Sequence, residues 1–196
     1  LPLLTALRKT YTTDQSRAAL EMARLRLKAL DKFGADANRM LFTRAALEQA
    51  SDPLVRRYRA AQMSAKRMVD ACCGIGADSL AVAAAGADVT GIDLDVVRIE
   101  IARYNAQVLG LNARFKIGDV RVGLPAADVV FFDPGRRDEQ GRRIHNVEHY
   151  LPPLSTIKTW LHQQVIVKLS PGVDLSQLAP YEGRVEFISV NGDLKE

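Results

Sequence analysis

The stretch RMVDACCGIGADSLAVAAAGADVTGID, residues 67–93, decides the fold of this chain. It opens on a short apolar run, breaks at two glycines, passes through an alanine-rich segment and ends in a second apolar run. Apolar runs of strand length on either side of a helical segment predict a strand–helix–strand unit. Gly74 and Gly76 let the backbone turn tightly and pass close to a ligand, and the N–H groups opening the next helix face an anion. The glycine pair alone is a weak signal, because many folds place glycines after a strand. Nicotinamide-binding domains compete for it. They want a third glycine where this chain has Ser79, however, and Asp70 before the turn is unusual for them.

Outward from this unit the alternation continues. Candidate strands are 67–72, 87–93, 113–118, 127–132 and 164–169, with a last one at 185–190 closing the chain. Helices are predicted at 77–85 and 96–109. The second is capped by Asp95, carries Val97, Ile101, Tyr104 and Val108 on one apolar face, and stops at Gly110. An amphipathic segment at 150–162 precedes the fifth strand. Short apolar strands separated by helices imply parallel crossovers. The fold class expected is α/β, a doubly wound, mostly parallel Rossmann-like sheet with helices on both faces. Such sheets bind ligands beyond the carboxyl ends of their strands.

Before residue 67 the pattern is helical. Leu20, Ala23, Leu27 and Leu30 recur at spacings of three and four, with Asp14 or Ser16 as the cap and Gly34 as the end. A second helix follows Thr43 to about Ala50, and a third runs from Asp52-Pro53 to about Ala65. The expected division is a helical subdomain over 1–66 and an α/β domain over 67–196.

Four features fall at the carboxyl ends of successive strands. The first is the loop with Asp70, Cys72, Gly74 and Gly76. The second is Asp93, 19 residues after Gly74, placed to accept hydrogen bonds from ribose hydroxyls, as nicotinamide sites also do. The third is Gly118-Asp119, where a carboxylate can accept from an adenine amino group or simply close a turn. The fourth is FFDPGRR, 131–137, in which Asp133 and Pro134 set a rigid polar corner. Arg136 and Arg137 follow as candidates to hold a phosphate or carboxylate of the substrate.

The set Asp70/Gly74/Gly76, Asp93, Asp119 and Asp133-Pro134 resembles the class I S-adenosylmethionine-dependent methyltransferases over residues 67–170. IARYNAQVLGL (101–111), the Cys-Gly-x-Gly loop and the Asp-Pro step are similar to nucleic-acid methyltransferases, including the trimethylguanosine-synthase-like group. KFGADANRMLFTRAALEQAS (32–51), DPGRR and KLSPG (168–172) look most like a bacterial methyltransferase family with a helical N-terminal region and a THUMP-like C-terminal domain. The resemblance implies S-adenosylmethionine as cofactor and RNA modification, with methyl transfer to a nitrogen of RNA. Asp133 and Pro134 would be the catalytic pair, and the cofactor would be held by Asp70, Cys72, Gly74, Gly76, Asp93 and Asp119. It further implies that Phe42 and Thr43 reach the cofactor pocket, and that the THUMP-like domain and the final strand pair are absent, with NGDLKE (191–196) leading toward that pair. Two positions depart from the pattern. Cys72 stands where the loop usually has its first glycine, and Gly135-Arg136 replaces the Pro-aromatic of amino-methylating relatives. The missing aromatic removes a stacking platform worth roughly 1–3 kcal/mol per base and keeps a small-molecule or protein substrate open, along with a cofactor-binding module without activity.

Composition bounds the rest. The chain has 196 residues, 47% of them hydrophobic, enough for one ordinary domain and a small appendage. No apolar run approaches the ~20 residues that span a bilayer. The chain opens on Leu1 with no leader pattern, which reads as a fragment or processed chain with the cytoplasm as default location. Cys72 and Cys73, adjacent and without metal-spaced partners, read as reduced thiols, and no metal is expected. Residues 1–67 hold 14 Lys/Arg against 6 Asp/Glu, while 68–196 hold 13 against 17. The basic first third points to RNA as partner. His145, His149 and His162 read as surface or loop residues. Tyr150 and Trp160 read as packing groups, Tyr150 being the candidate if the base platform has moved.

Overall fold

A computed structural model of the chain describes residues 2–64, 66–138, 140–160 and 164–196. Its centre is a five-stranded parallel sheet in the order β3-β2-β1-β4-β5, formed by β1 (Arg67–Ala71), β2 (Asp88–Asp93), β3 (Ala113–Ile117), β4 (Val129–Phe132) and β5 (Val165–Val167). Asp70 lies in register with Gly91 on one side and Phe131 on the other. The chain winds outward through β2 and β3, then returns across β1 to β4. The switch point therefore lies between β1 and β4, where open α/β sheets bind their ligands.

Alternation along the buried strands feeds two cores. Met68, Val89, Val129 and Phe131 pack with Ala60 and Met63 of α4 (Pro53–Met63) and Val82 of α5 (Ala77–Ala84). Val69, Ala71, Ile92, Val130 and Phe132 pack with Tyr150, Leu154 and Trp160. Trp160 meets Phe132 edge-on at 5.1 Å and donates from Nε1 to the Val120 carbonyl. Both aromatics are buried (Tyr150 1% exposed), so neither offers a face to a base. The segment expected as an amphipathic helix is instead a 3₁₀ turn over Leu154–Thr159, entered through Pro152 and Pro153, which cannot donate helical hydrogen bonds.

Before the sheet come α1 (Pro2–Leu7), α2 (Thr13–Phe33), α3 (Arg44–Gln49) and α4. Thr43 caps α3 as expected, and Asp52, where the third helix was expected to begin, caps α4. The cap of α2 is Thr12, neither Asp14 nor Ser16. Thr12 and Gln15 exchange hydrogen bonds in a capping box, and Ser16 is buried within the helix. The inner face of α2 also differs from expectation. Leu25 and Ala29 are buried, whereas Leu27 is 67% exposed and Leu30 38%. The small Ala29 packs in one cluster with Ala37, Ala46 and Leu47, and that contact orients the helix.

Helix α6 (Val96–Leu109) shows the same effect. Ile99, Ala102, Asn105 and Ala106 face inward, while Val97 and Tyr104 are exposed. Asn105 fixes this choice: it accepts from the Leu41 N–H at 2.8 Å and donates to the Leu41 carbonyl at 3.0 Å, tying the N-terminal segment to the sheet domain.

The last expected strand is corrected. Ser189–Val190 (β6) pairs with Asp193–Leu194 (β7) in a separate antiparallel hairpin, extended by backbone bonds between Ile188 and Lys195–Glu196. Asn191 and Gly192, both at positive φ, form its two-residue turn. NGDLKE therefore closes this hairpin. Among the described residues no helix is long and apolar enough to cross a membrane.

Candidate functional site

The loop leaving β1 is built on left-handed backbone. Cys72, Gly74 and Gly76 have φ of 69°, 56° and 81°. The N–H groups of Cys72 and Cys73 both donate to the Ile92 carbonyl, at 2.9 and 3.0 Å, so the loop folds back over the end of β2. Asp93, ending β2, completes the clasp: its Oδ2 accepts from the Gly74 N–H at 2.8 Å and its Oδ1 from the Asp95 N–H at 2.9 Å. Each oxygen keeps a lone pair for a further donor. A Cβ on Gly74 would meet nothing within 4 Å, so the loop is open above it. Beneath it the packing is tight. A Cβ on Gly91 would come within 2.6 Å of Phe115 and 2.9 Å of Cys73 Sγ.

Asp70 is 1% exposed and takes one bond, from Ser79 Oγ to Oδ2 at 2.5 Å. Ser79 thus has a purpose of its own at the position where a third glycine would stand. Asp70 Oδ1 has no partner among the described residues. Burial, reinforced by the Asp78 and Asp133 carboxylates and opposed by Ser79, pushes the Asp70 carboxyl up to about 7. A buried acceptor lacking a donor is costly, so this oxygen has capacity for a further hydrogen bond.

Asp119, after β3, accepts from the Arg121 guanidinium at 2.6–3.0 Å and from the Arg121 N–H. These bonds to Arg121 hold its carboxyl below the usual range. Asp119 is at the expected strand end, already engaged by a side chain that the sequence reading passed over.

At the end of β4, Asp133 Oδ2 accepts from Lys168 Nζ at 2.8 Å. Lys168 follows β5 and is 6% exposed. Burial would lower its ammonium, but Asp133, aided by Asp78 and Glu196, outweighs burial and holds it above the ordinary value. Pro134 is buried, Arg136 half-buried and Arg137 exposed. Lys168 is a residue that sequence reasoning missed, although a lysine ending the apolar run VIVK is an available signal. A second missed residue is Arg59 of α4. Buried under the site, it pairs with Asp78 and Glu196 and lies over the Phe131 ring at 4.5 Å. Burial would lower its guanidinium, but Asp78 and Glu196 more than offset that and raise it.

The structure thus brings together Asp70, Cys72, Gly74, Gly76 and Asp93, with Asp119 and Asp133-Pro134 on neighbouring strand ends. Phe42 is buried in the cluster beneath the loop, and Thr43 caps α3. His145 and His149 are exposed, and His162 lies outside the described residues. Clefts of about 220 Å³ between α2 and α3 and about 290 Å³ around Arg67, Thr90 and Lys116 hold none of the strand-end glycines or carboxylates. Among the described residues no group of three or more His, Cys, Asp or Glu is arranged to hold a metal.

Comparison with known proteins agrees with this geometry. Residues 68–133 match the family model of the methyltransferase domain. An uncharacterised S-adenosylmethionine-dependent methyltransferase of Mycobacterium tuberculosis is 32% identical over 191 residues, covering 93% of this chain and 53% of the relative. An uncharacterised RNA methyltransferase of Gloeobacter violaceus is 41% identical over 88 residues, covering 43% of this chain and 19% of the relative. A solved structure from Porphyromonas gingivalis, described as a methyltransferase, superposes with a TM-score of 0.70 at 21% identity over 88% of this chain and 46% of its own. The chain spans about half the length of the Mycobacterium relative. The doubly wound parallel sheet is the Rossmann-like fold that this chain shares with the Porphyromonas structure.

Proposed function

We propose, given that residues 68–133 match the family model of the methyltransferase domain, that the chain binds S-adenosylmethionine at the strand ends and methylates a nitrogen of RNA. The observation that carries the cofactor is the convergence of the open Gly74 loop, the Asp93 carboxylate and the orphaned Asp70 Oδ1 at the switch point. The donor set fits the molecule. Asp70 Oδ1 suits the cationic amine of the methionine moiety, the loop N–H groups its carboxylate, and Asp93 the ribose hydroxyls. Asp119 lies at the strand end expected to face adenine.

The bound cofactor supplies an electrophilic methyl group, and transfer is an in-line displacement in which the nitrogen–carbon bond forms as the carbon–sulfur bond breaks. Alignment is the main contribution the protein makes, with roughly 7–11 kcal/mol of barrier available from well-oriented groups. Lys168 donates to Asp133 Oδ2, leaving Oδ1 to accept a hydrogen bond from an amine nucleophile and then its departing proton. RNA as substrate is supported by the Gloeobacter relative's name, by the basic N-terminal third and by the arginines after Pro134. The burial of Tyr150 and Trp160 favours a second reading, a small-molecule or protein substrate, because it leaves no platform of theirs for a base.

Calorimetry with S-adenosylmethionine and with NAD tests the cofactor, on the wild type and on Asp93→Asn, which keeps the side-chain shape and removes the charge. Binding of S-adenosylmethionine alone, weakened at least tenfold in the variant, is the expected result. A folded wild type that prefers NAD, or binds neither, overturns the proposal.

A further inference from the structure

Between Asp133 and Leu151 the chain makes an excursion that returns to its own base. Gly135 and Leu151 exchange N–H···O bonds of 2.8 and 2.9 Å. Further out, the Ile144 N–H donates to the Arg136 carbonyl and the Asp138 N–H to the Arg142 carbonyl, at 2.9 and 3.0 Å, with a turn closed from Gly141 to Asp138. The result is a small antiparallel hairpin rooted at the carboxyl end of β4. Arg136 and Ile144 share its inward face, since Ile144 packs on the core around Val147 and Tyr150. Arg137 and Arg143 are paired directly across the strands on the outward face, and both are exposed.

That pairing is electrostatically unfavourable. Like charges directly opposite on a hairpin destabilise it, and their Cβ atoms sit only roughly 4.5–5.5 Å apart. The nearby Asp138 does not relieve it, because its carboxylate is engaged by Arg142 at 2.8 Å and by two backbone N–H groups. Among the described residues Arg137 donates to the Gly141 carbonyl, and Glu139 lies outside them. Two arginines paired across the hairpin and exposed on one face offer two guanidinium groups to a phosphate.

We propose that the outward face of this hairpin, through Arg137 and Arg143, is a phosphate clamp that holds the RNA backbone beside the methyl-transfer corner. It rests on the RNA reading above and adds the means of gripping a strand where no stacking aromatic follows Pro134. Grip by backbone phosphate positions a substrate without reading its sequence.

A fluorescently labelled, mixed-sequence single-stranded RNA of 20 nucleotides would be titrated across a salt series with wild type, R137Q/R143Q and R114Q. Arg114 serves as control, being an exposed arginine paired with Asp88 at the opposite end of β3. Each phosphate contact on a single strand contributes about 0.7 to the salt slope. The double variant is expected to lose about 0.7–1.4 of slope and at least tenfold in low-salt affinity, while R114Q and S-adenosylmethionine binding stay unchanged. RNA binding with an unaltered slope in the double variant overturns the clamp and leaves the RNA reading standing. An equal loss in R114Q also overturns it, the contacts then being diffuse. Failure of the wild type to bind RNA overturns both.

Discussion

Cys72 shows how one residue can keep a motif's geometry while changing its chemistry. It occupies the left-handed backbone that the loop requires, at φ 69°, where an L-residue costs about 1–2 kcal/mol. It stays there because its N–H is held by the Ile92 carbonyl and its side chain packs against the core cluster around β1 and β4. Burial, with Asp93, Asp70, Asp133 and Asp119 around it, pushes its thiol far above the ordinary range, so it is no nucleophile. In C72G the relief of strain is offset by lost packing and a more flexible unfolded chain. Its urea midpoint should correspond to a change of less than about 1 kcal/mol. C72V places a β-branched side chain at the same φ and should lose about 2 kcal/mol or more. Equal stability of Val and Cys at this position would mean that the loop does not need left-handed backbone there.

At the scale of elements, Arg59 is the strut between helix α4, the first turn of α5 and the terminal hairpin. Removing a buried cation strands its carboxylates, which costs about 3–5 kcal/mol. R59L should therefore destabilise the fold by about that amount, and adding D78N should recover part of it because one stranded charge is gone. Urea denaturation of the single and double variants measures the coupling, and simple additivity would show that Arg59 and Asp78 act independently. Nothing in the sequence announces this strut, since its partners lie 19 and 137 residues away. Lys168 did carry a local signal, as the lysine ending the apolar run VIVK, but its partner Asp133 lies 35 residues away. What could be read were features carried by neighbouring residues: the five core strands, bounded by glycine, proline and polar turns, the caps Thr43, Asp95 and Gly110, and the start of α4 at Asp52-Pro53. Helix faces were misread where small residues decide the packing, Ala29 in α2 and Ala102 and Ala106 in α6, because hydrophobic periodicity follows the larger side chains. The terminal hairpin did have a local signal, Asn191-Gly192, which outranks the β-propensity of VEFISV. Of the candidate site, the strand-end glycines and carboxylates were legible, but their existing partners, Arg121 on Asp119 and Lys168 on Asp133, were not.

For the whole molecule, net charge is a poor guide until structural cations are set aside. In the basic first third, Arg26, Lys32, Arg39 and Arg56 donate to backbone carbonyls, and Arg44, Arg59 and Arg67 pair with carboxylates. The same distinction governs how stability follows pH. Asp119, Asp128 and Glu148 are held below their ordinary values, the first two by arginines and Glu148 by Ser155, Tyr181 and Lys158 against its burial. Their stabilisation is present above the unfolded pKa and is lost as pH falls through the folded one, in the acid range. Asp70 runs the other way. Its folded value of about 7 lies above the unfolded 3.8. Its stabilisation is complete below about pH 4 and drains away as pH rises through 7. Wild type should therefore lose stability between pH 5 and pH 8, whereas D70N, which keeps an oxygen for Ser79 and has no charge to bury, should hold a nearly constant urea midpoint over that window. Both should weaken together below pH 4, where the salt-bridged carboxylates protonate. Parallel profiles for the two proteins between pH 5 and pH 8 would mean that Asp70 is already ionised in the native state, and its unpartnered Oδ1 would then need a cation within the fold itself.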